Sequence, residues 1–301
     1  DIELVNPLDA EVGDWAVVRL TSGAGAFAEG EIVQVLGPST EPGVDTEVVL
    51  HHYRIPQEFP ADVLTALEAL PAEPREEDWR GREDLREVEV VTIDGPTARD
   101  FDDAVAVEEL GGGRYRLSVH IADVAQYVPE GSPLDLEAYR RGTSVYFPER
   151  AVPMLPEKLS NGLCSLRPDV PRLALSVFLD VDGEGHVVRR RFAETVIRSH
   201  RRMTYDEVRR ILEEPEPQDA REYGPLVEHL RTMRELAALF LARREERGSI
   251  DFDLPEGDVI LDTDGVVVGI KPTERNVAQR IIEDFMIAAN EAVAEELETK
   301  S

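Results

Sequence analysis

The chain has 301 residues, enough for one large domain or two ordinary ones, and 42% of them are hydrophobic, which supplies a sizeable core and excludes disorder as the default. Acidic residues number 62 against 33 basic, a formal charge of -29 at pH 7, so the field of the whole chain repels polyanions and excludes non-specific nucleic-acid binding. A nucleic-acid partner would need a local basic stripe, or metal ions that offset the carboxylates. Only Lys158, Lys271 and Lys300 are lysines, so arginine carries nearly all of the positive charge. The single Cys164 excludes an internal disulfide framework and a cysteine-based zinc site, and it fits a reducing cytoplasm. The longest apolar runs, such as Leu173–Leu179, are of strand length and predict no membrane span. A start at Asp1, without Met, reads as a fragment or a processed product.

Residues 1–58 carry three β-like runs, Trp15–Leu20, Gly30–Leu36 and Thr46–Tyr53, separated by Gly/Pro/Ser-rich turns. They predict a small antiparallel, OB-like β unit, and three strands are too few for an independent barrel. Residues 59–86 read as a helix and linker: Pro60 precedes Val63, Leu64, Leu67 and Leu70 at helical spacing, then a Glu/Arg-rich, proline-punctuated stretch follows. From Glu87 onward, residues 87–301 form a second domain. Its strands are Val88–Ile93, Ala104–Glu108 and Tyr115–Ala122, the last two joined as a hairpin across Gly111, Gly112 and Gly113. A helix over Pro133–Arg141, a proline-rich excursion through Pro148, Pro153 and Pro156, and two long strands at residues 173–181 and 186–198 come next. Thr204 caps a helix that runs to Glu213, with Glu207 completing a capping box, and 3.6-residue periodicity covers residues 225–246 and 276–298. Val259–Leu261 and Val266–Ile270 form a further hairpin between them. Sheet mostly before residue 198 and helices mostly after 203 predict an α+β fold, a mixed sheet with flanking helices.

The stretch Thr92-Ile93-Asp94-Gly95-Pro96-Thr97-Ala98-Arg99-Asp100-Phe101-Asp102-Asp103 places one carboxylate at the end of an apolar strand and three more just past a Gly-Pro turn. In extended backbone Asp100 and Asp102 share a face and Asp103 points away, but a turn lets all four converge. Such crowding is costly without a counterion, and hard divalent cations favour carboxylate oxygens. Two other readings of the spacing stay open. Aspartates decorate the turns of any very acidic protein, and a calcium loop is weaker still because the EF-hand order is absent.

The same residues give a resemblance. Thr92-Ile93-Asp94-Gly95 and Ala98-Arg99-Asp100-Phe101-Asp102-Asp103-Ala104-Val105 closely resemble the signature of the RNB exoribonuclease family, ribonucleases II and R. Further blocks follow in the family's order: His120–Val124, Arg141–Pro148, Pro153–Pro156, Leu159–Leu166, Ile197–His200 with Thr204-Tyr205, and Ile281–Met286. The ribonuclease R pattern is the closer of the two. Residues 14–53 resemble the end of the cold-shock, OB-type domain that precedes the catalytic domain. The resemblance implies a processive, hydrolytic exonuclease that works from the 3′ end of single-stranded RNA, releases nucleoside 5′-monophosphates with Mg²⁺ (Mn²⁺ as an alternative), and is monomeric and cytoplasmic. It implies that Asp94, Asp100, Asp102 and Asp103 are the catalytic, metal-binding acids and that Tyr146 stacks near the RNA 3′ terminus. It also implies a longer catalytic domain, with a phosphate-contacting arginine and a terminal OB-type domain beyond the equivalent of Ser301. On this reading residues 87–301 are the N-terminal part of that domain.

Two rival functions accompany this one: a non-catalytic RNA-binding or regulatory member of the same fold, and a metal-dependent hydrolase of small phosphate esters. Intact aspartates favour the enzyme, since a retired site has no physical reason to keep four repelling carboxylates. Of the other residues, His120 reads as a structural strand residue and Cys164 as a small core residue. Arg189, Arg190 and Arg191, with Arg198, Arg201 and Arg202, form the best basic patch, explained as well by solvated strand edges as by RNA contact. The stripe of Leu226, Leu230, Met233 and Leu236 is core packing.

Overall fold

The computed structural model describes residues 2–23, 28–250, 256–273 and 275–300. It divides into two compact units. The first gathers Asp1–Leu64, Leu136–Met154 and Glu256–Thr273. Here β1 (Ile2–Asn6), β2 (Asp14–Ser22) and β3 (Ala28–Pro38) form a sheet in the order β1-β3-β2, with β1 parallel and β2 antiparallel to β3.

The expected third strand at Thr46–Tyr53 is instead a helix, α1 (Val44–His52). Its run of Val48, Val49 and Leu50 carries strand propensity, but Gly43, at φ 84°, turns the chain into a helix start. Asp45 and Glu47 in the first turn and His51 and His52 in the last complement the helix dipole. Val44, Thr46 and Leu50 are then buried, so packing overrides the local β preference. The missing strand is supplied by β1, a segment whose sequence gave no β expectation. A helix α2 (Ala61–Glu68) follows, with Leu64 N bonded to the Pro60 carbonyl at 3.1 Å.

The second unit, Thr65–Asp135, Leu155–Pro255 and Glu274–Ser301, holds the larger core. The stretch expected to be a linker contains a 3₁₀ turn, Glu76–Trp79, and the first residues of β4 (Glu83–Asp94). Strands β5 (Asp103–Gly111) and β6 (Arg114–Ala122) form the expected hairpin, turned at Gly112 and Gly113, both with positive φ. Only glycine takes two consecutive left-handed residues without strain, so this turn matches the right-handed twist of its strands. The helix α3 (Pro133–Arg141) lies where the sequence places it, and the short strands β7 (Val145–Tyr146) and β8 (Ala151–Val152), in the first unit, pair antiparallel.

The mixed sheet does not stay open. With β9 (Pro171–Val181) and β10 (Val187–Thr204) it closes into a five-stranded barrel, β10-β4-β5-β6-β9. The 18-residue β10 makes closure possible: its first part runs antiparallel to β9 and its last part parallel to β4, from Thr195 opposite Glu83 to Thr204 opposite Asp94. The two-residue strand period sorts the faces. Val105, Val107, Leu117, Val119, Val177 and Leu179 belong to one core with the helices α4 (Tyr205–Glu213), α6 (Leu226–Glu246) and α7 (Val277–Lys300). A one-turn helix, α5 (Asp219–Glu222), joins α4 to α6. The alternate residues Ala104, Ser118, His120, Ala174 and Ser176 are buried on the opposite face, where small and hydrogen-bonded side chains fit a narrow barrel.

Thr204 ends the barrel and begins α4. Its hydroxyl accepts from Glu207 N at 3.1 Å, while Glu207 accepts from Thr204 N at 2.7 Å, the reciprocal box expected from sequence. In the first unit β11 (Glu256–Leu261) and β12 (Val267–Thr273) form the late hairpin.

Candidate active site

Strand β4 is apolar to its end, with Val90, Val91, Thr92 and Ile93 buried, and it delivers Asp94 to the rim of the barrel. A turn follows, closed by Ala98 N donating to the Gly95 carbonyl at 3.2 Å. Two anchors then fix the chain. Arg202, which faces Thr92 across the β4–β10 ladder, donates to the Gly95 carbonyl at 2.6 Å and lies over the Phe101 ring at 5.7 Å. The buried Ser165 hydroxyl accepts from Phe101 N at 3.1 Å and donates to the Arg99 carbonyl at 2.8 Å. The Phe101 carbonyl accepts from Leu166 N at 2.8 Å, and the Asp102 carbonyl from Ala122 N at 2.9 Å. Asp103 then starts β5 opposite Ile121.

This path brings the four aspartates into one electrostatic neighbourhood. Burial, then the charge of Asp103, pushes the Asp94 carboxyl up to about 7; Asp100 and Asp102 add to this and Arg202 opposes it. Burial and Asp102 push Asp103 up to about 6, and burial and Asp100 raise Asp102. Asp94 Oδ2 is buried with no hydrogen-bond partner among the described residues. Tyr205, the first residue of α4, is raised to about 12 by burial and by the charges of Asp94 and Asp103. Cys164 is buried, its thiol pushed up to about 12 by burial and by Asp102.

Among the described residues no three His, Cys, Asp or Glu side chains stand as a ready-made metal cage. The donor set nonetheless fits a hard divalent cation. The carboxylates stand at the half-buried edge of the barrel, repel one another and are opposed by Arg202 alone at Asp94, and one buried oxygen has no donor; a cation would supply the missing countercharge.

Tyr146 is exposed on β7, in the first unit. His120 is a buried strand residue, as expected: its Nδ1 is 2.6 Å from the Ser176 hydroxyl, which is 2.7 Å from that of Thr195, and burial holds the ring neutral by lowering its pKa to about 3. The arginine patch is largely consumed by ion pairs. Arg190 meets Glu295, Arg191 meets Glu83 at 2.5 Å, Arg198 meets Glu87 at 3.2 Å and Arg201 meets Glu222 at 3.6 Å. Its member Arg202 is instead turned to the aspartate loop. Sequence reasoning placed Arg202 in that patch and missed its role, and it gave Ser165 none. One signal was available: crowded carboxylates need a cation, and Arg202 stands two residues before the Thr204 cap, just past the end of the strand expected at residues 186–198.

A five-stranded barrel with helices on one flank and clustered aspartates at its rim defines an RNB catalytic fold. The RNB domain family matches residues 82–301 and the cold shock domain family residues 2–60, and the chain belongs to the RNB family. Ribonuclease R of Thermotoga maritima is 46% identical over 274 residues, covering 90% of this chain and 38% of that protein. Among solved structures, Mycoplasma genitalium RNase R in complex with double-stranded RNA matches with a TM-score of 0.91 at 28% identity, covering 99% of this chain and 54% of that one. The same RNase R in complex with ribose methylated single-stranded RNA matches with a TM-score of 0.90, covering 47% of that chain. The chain thus spans little more than a third of the length of the Thermotoga relative.

Proposed function

We propose that this chain carries the aspartate half of the active site of a metal-dependent 3′-to-5′ exoribonuclease that hydrolyses RNA processively to nucleoside 5′-monophosphates. The carrying observation is the cluster of aspartates at the barrel rim, in which Asp94, Asp102 and Asp103 are raised in pKa and Arg202 alone opposes the rise at Asp94. Membership of the RNB family, whose ribonucleases are metal-dependent hydrolases, supports this reading.

In it, Asp94, Asp100, Asp102 and Asp103 hold Mg²⁺ or Mn²⁺. When bound, the ion supplies charge neutralisation at the scissile phosphate and lowers the pKa of a water. The chain's own part is positional. Arg202 and Ser165 hold the loop so that its carboxylates stay on the rim, and partial burial raises the proton affinity of Asp94 and Asp103. Water oxygen adds to phosphorus as the bond to the 3′ oxygen of the preceding nucleotide breaks, leaving a 5′-monophosphate and a new 3′ hydroxyl. Tyr146 stacks on the terminal base, which tolerates any sequence. The RNA-bound RNase R structures support a single-stranded RNA 3′ end as substrate. Among the described residues no helix is long and apolar enough to cross a membrane, and we read the protein as a cytoplasmic monomer.

Digestion of a 5′-labelled single-stranded RNA with Mg²⁺ tests this reading. A ladder shrinking from the 3′ end to a short 5′ remnant, abolished by Asp102→Asn, is expected. Internal cleavage, or a ladder that survives Asp102→Asn, overturns it.

A further inference from the structure

Arg99 sits inside the aspartate motif, yet among the described residues its guanidinium makes no hydrogen bond or ion pair. Its backbone is fixed, because Ser165 holds its carbonyl at 2.8 Å and the next residue but one, Phe101, by its N–H at 3.1 Å. Arg202, not Arg99, is the cation that acts on Asp94. Arg99 instead lines an open cavity of about 530 Å³ beside the loop, with Lys158, Asn161, Arg167 and Glu157.

The cavity gathers three cations against one lining acid in a chain of charge -29. Two are preset. Lys158 Nζ is held over the end of α2 by the carbonyls of Leu67 and Leu70, at 2.8 and 2.6 Å, which leaves its third N–H uncommitted. Arg167 pairs with Glu73 at 2.7 Å, both side chains partly exposed, so the pair is weak and opens readily to a stronger anion. Asn161 adds an amide donor. An unpaired guanidinium, an ammonium and an amide around a wet concavity match the acceptor geometry of a phosphate.

We propose that this cavity is a phosphate-binding subsite flanking the aspartates, with Arg99 as its principal ligand. It rests on the reading above for its biological use, though not for its existence. The phosphate comes either from an RNA backbone diester held beside the carboxylates or from the monoester of the released nucleotide. Either way the cavity offsets locally the repulsion that so acidic a chain exerts on its substrate.

The test compares Arg99 with Arg99→Gln and Arg99→Lys in an Asp102→Asn background with Mg²⁺, where binding is read without turnover. Arg99 is exposed, so all three should fold alike by circular dichroism. The probes are a fluorescent oligoadenylate and adenosine 5′-monophosphate, with adenosine as the phosphate-free control. For a backbone subsite, Arg99→Gln weakens oligoadenylate binding about tenfold and lowers the log–log salt slope by about 0.7, the loss of one contact to a single strand. Arg99→Lys keeps that slope. For a product subsite, adenosine monophosphate binds over adenosine and Arg99→Gln abolishes the difference. The proposal falls if Arg99→Gln leaves both probes unchanged, or if neither probe binds better than adenosine. Phosphate binding at this cavity together with no RNA cleavage by the parent chain in Mg²⁺ would instead count against the exonuclease reading alone.

Discussion

The guanidinium of Arg202 donates to the carbonyl of Gly95 at 2.6 Å, from a strand more than a hundred residues further along the chain. The bond fixes the residue immediately after Asp94, and the same charge is the cation acting on that carboxyl. Arg202→Ala removes both effects. A lost charged hydrogen bond of about 1.5–3 kcal/mol corresponds to roughly tenfold to a hundredfold slower cleavage. Single-turnover RNA digestion at saturating Mg²⁺ checks this, with Arg202→Lys recovering part of the loss because it keeps the charge and not the fork.

Ser165→Ala removes a hydroxyl that satisfies two backbone groups of the aspartate loop, Phe101 N and the Arg99 carbonyl. Ser165 and Phe101 are both buried, so the Phe101 N–H loses its bond without gaining water. Urea unfolding should show a loss of about 1–3 kcal/mol.

The pH dependence of the metal-free protein follows from Asp94 and Asp103, whose pKa values stand at about 7 and 6 against an ordinary 3.8. Between pH 4 and 7 the folded chain binds more protons at these groups than the unfolded chain does. Their contribution to stability is therefore full at low pH and is lost as pH rises toward 7. His120 acts in the opposite sense: its folded pKa of about 3 costs stability as pH falls below 6.5. Asp94→Asn isolates the first effect. It should raise the melting temperature at pH 8 in EDTA and leave it nearly unchanged at pH 4. Mg²⁺ affinity of the parent chain should fall as pH drops through 7, because protons compete for the same oxygens.

Cys164 is buried with its thiol pushed up to about 12, so it is both inaccessible and protonated at neutral pH. A thiol-reactive chromophore should label none of the native chain within minutes and the whole population in 6 M guanidinium. Rapid native labelling would show that the loop beside Asp102 opens locally.

The sequence disclosed most of this architecture through periodicity. The helices after Thr204 have long 3.6-residue stripes, and the Thr204–Glu207 box marks a boundary that the structure reproduces to the residue. Barrel closure was not legible. Nothing local in Val187–Thr204 says that one strand changes partner from β9 to β4 midway, because that depends on pairing across a hundred residues. The helix at Val44–His52 was misread for a related reason: its apolar residues suit either state, and burial against β3 decided. At the site, aspartate spacing disclosed the acids. The anchors Arg202 and Ser165 were hidden because they arrive from distant strands and loops.

The parallel pairing of Asp94 with Thr204 carries a consequence for how the protein is made. The first half of the site is synthesised about a hundred residues before the strand that closes it, and contacts of such sequence separation form late. During translation the aspartates emerge from the ribosome well ahead of Arg202, the residue that fastens their loop. A nascent chain ending between them holds the acids without their clamp. The order of residues along the chain thus leaves the aspartate loop unfastened until β10 has been made.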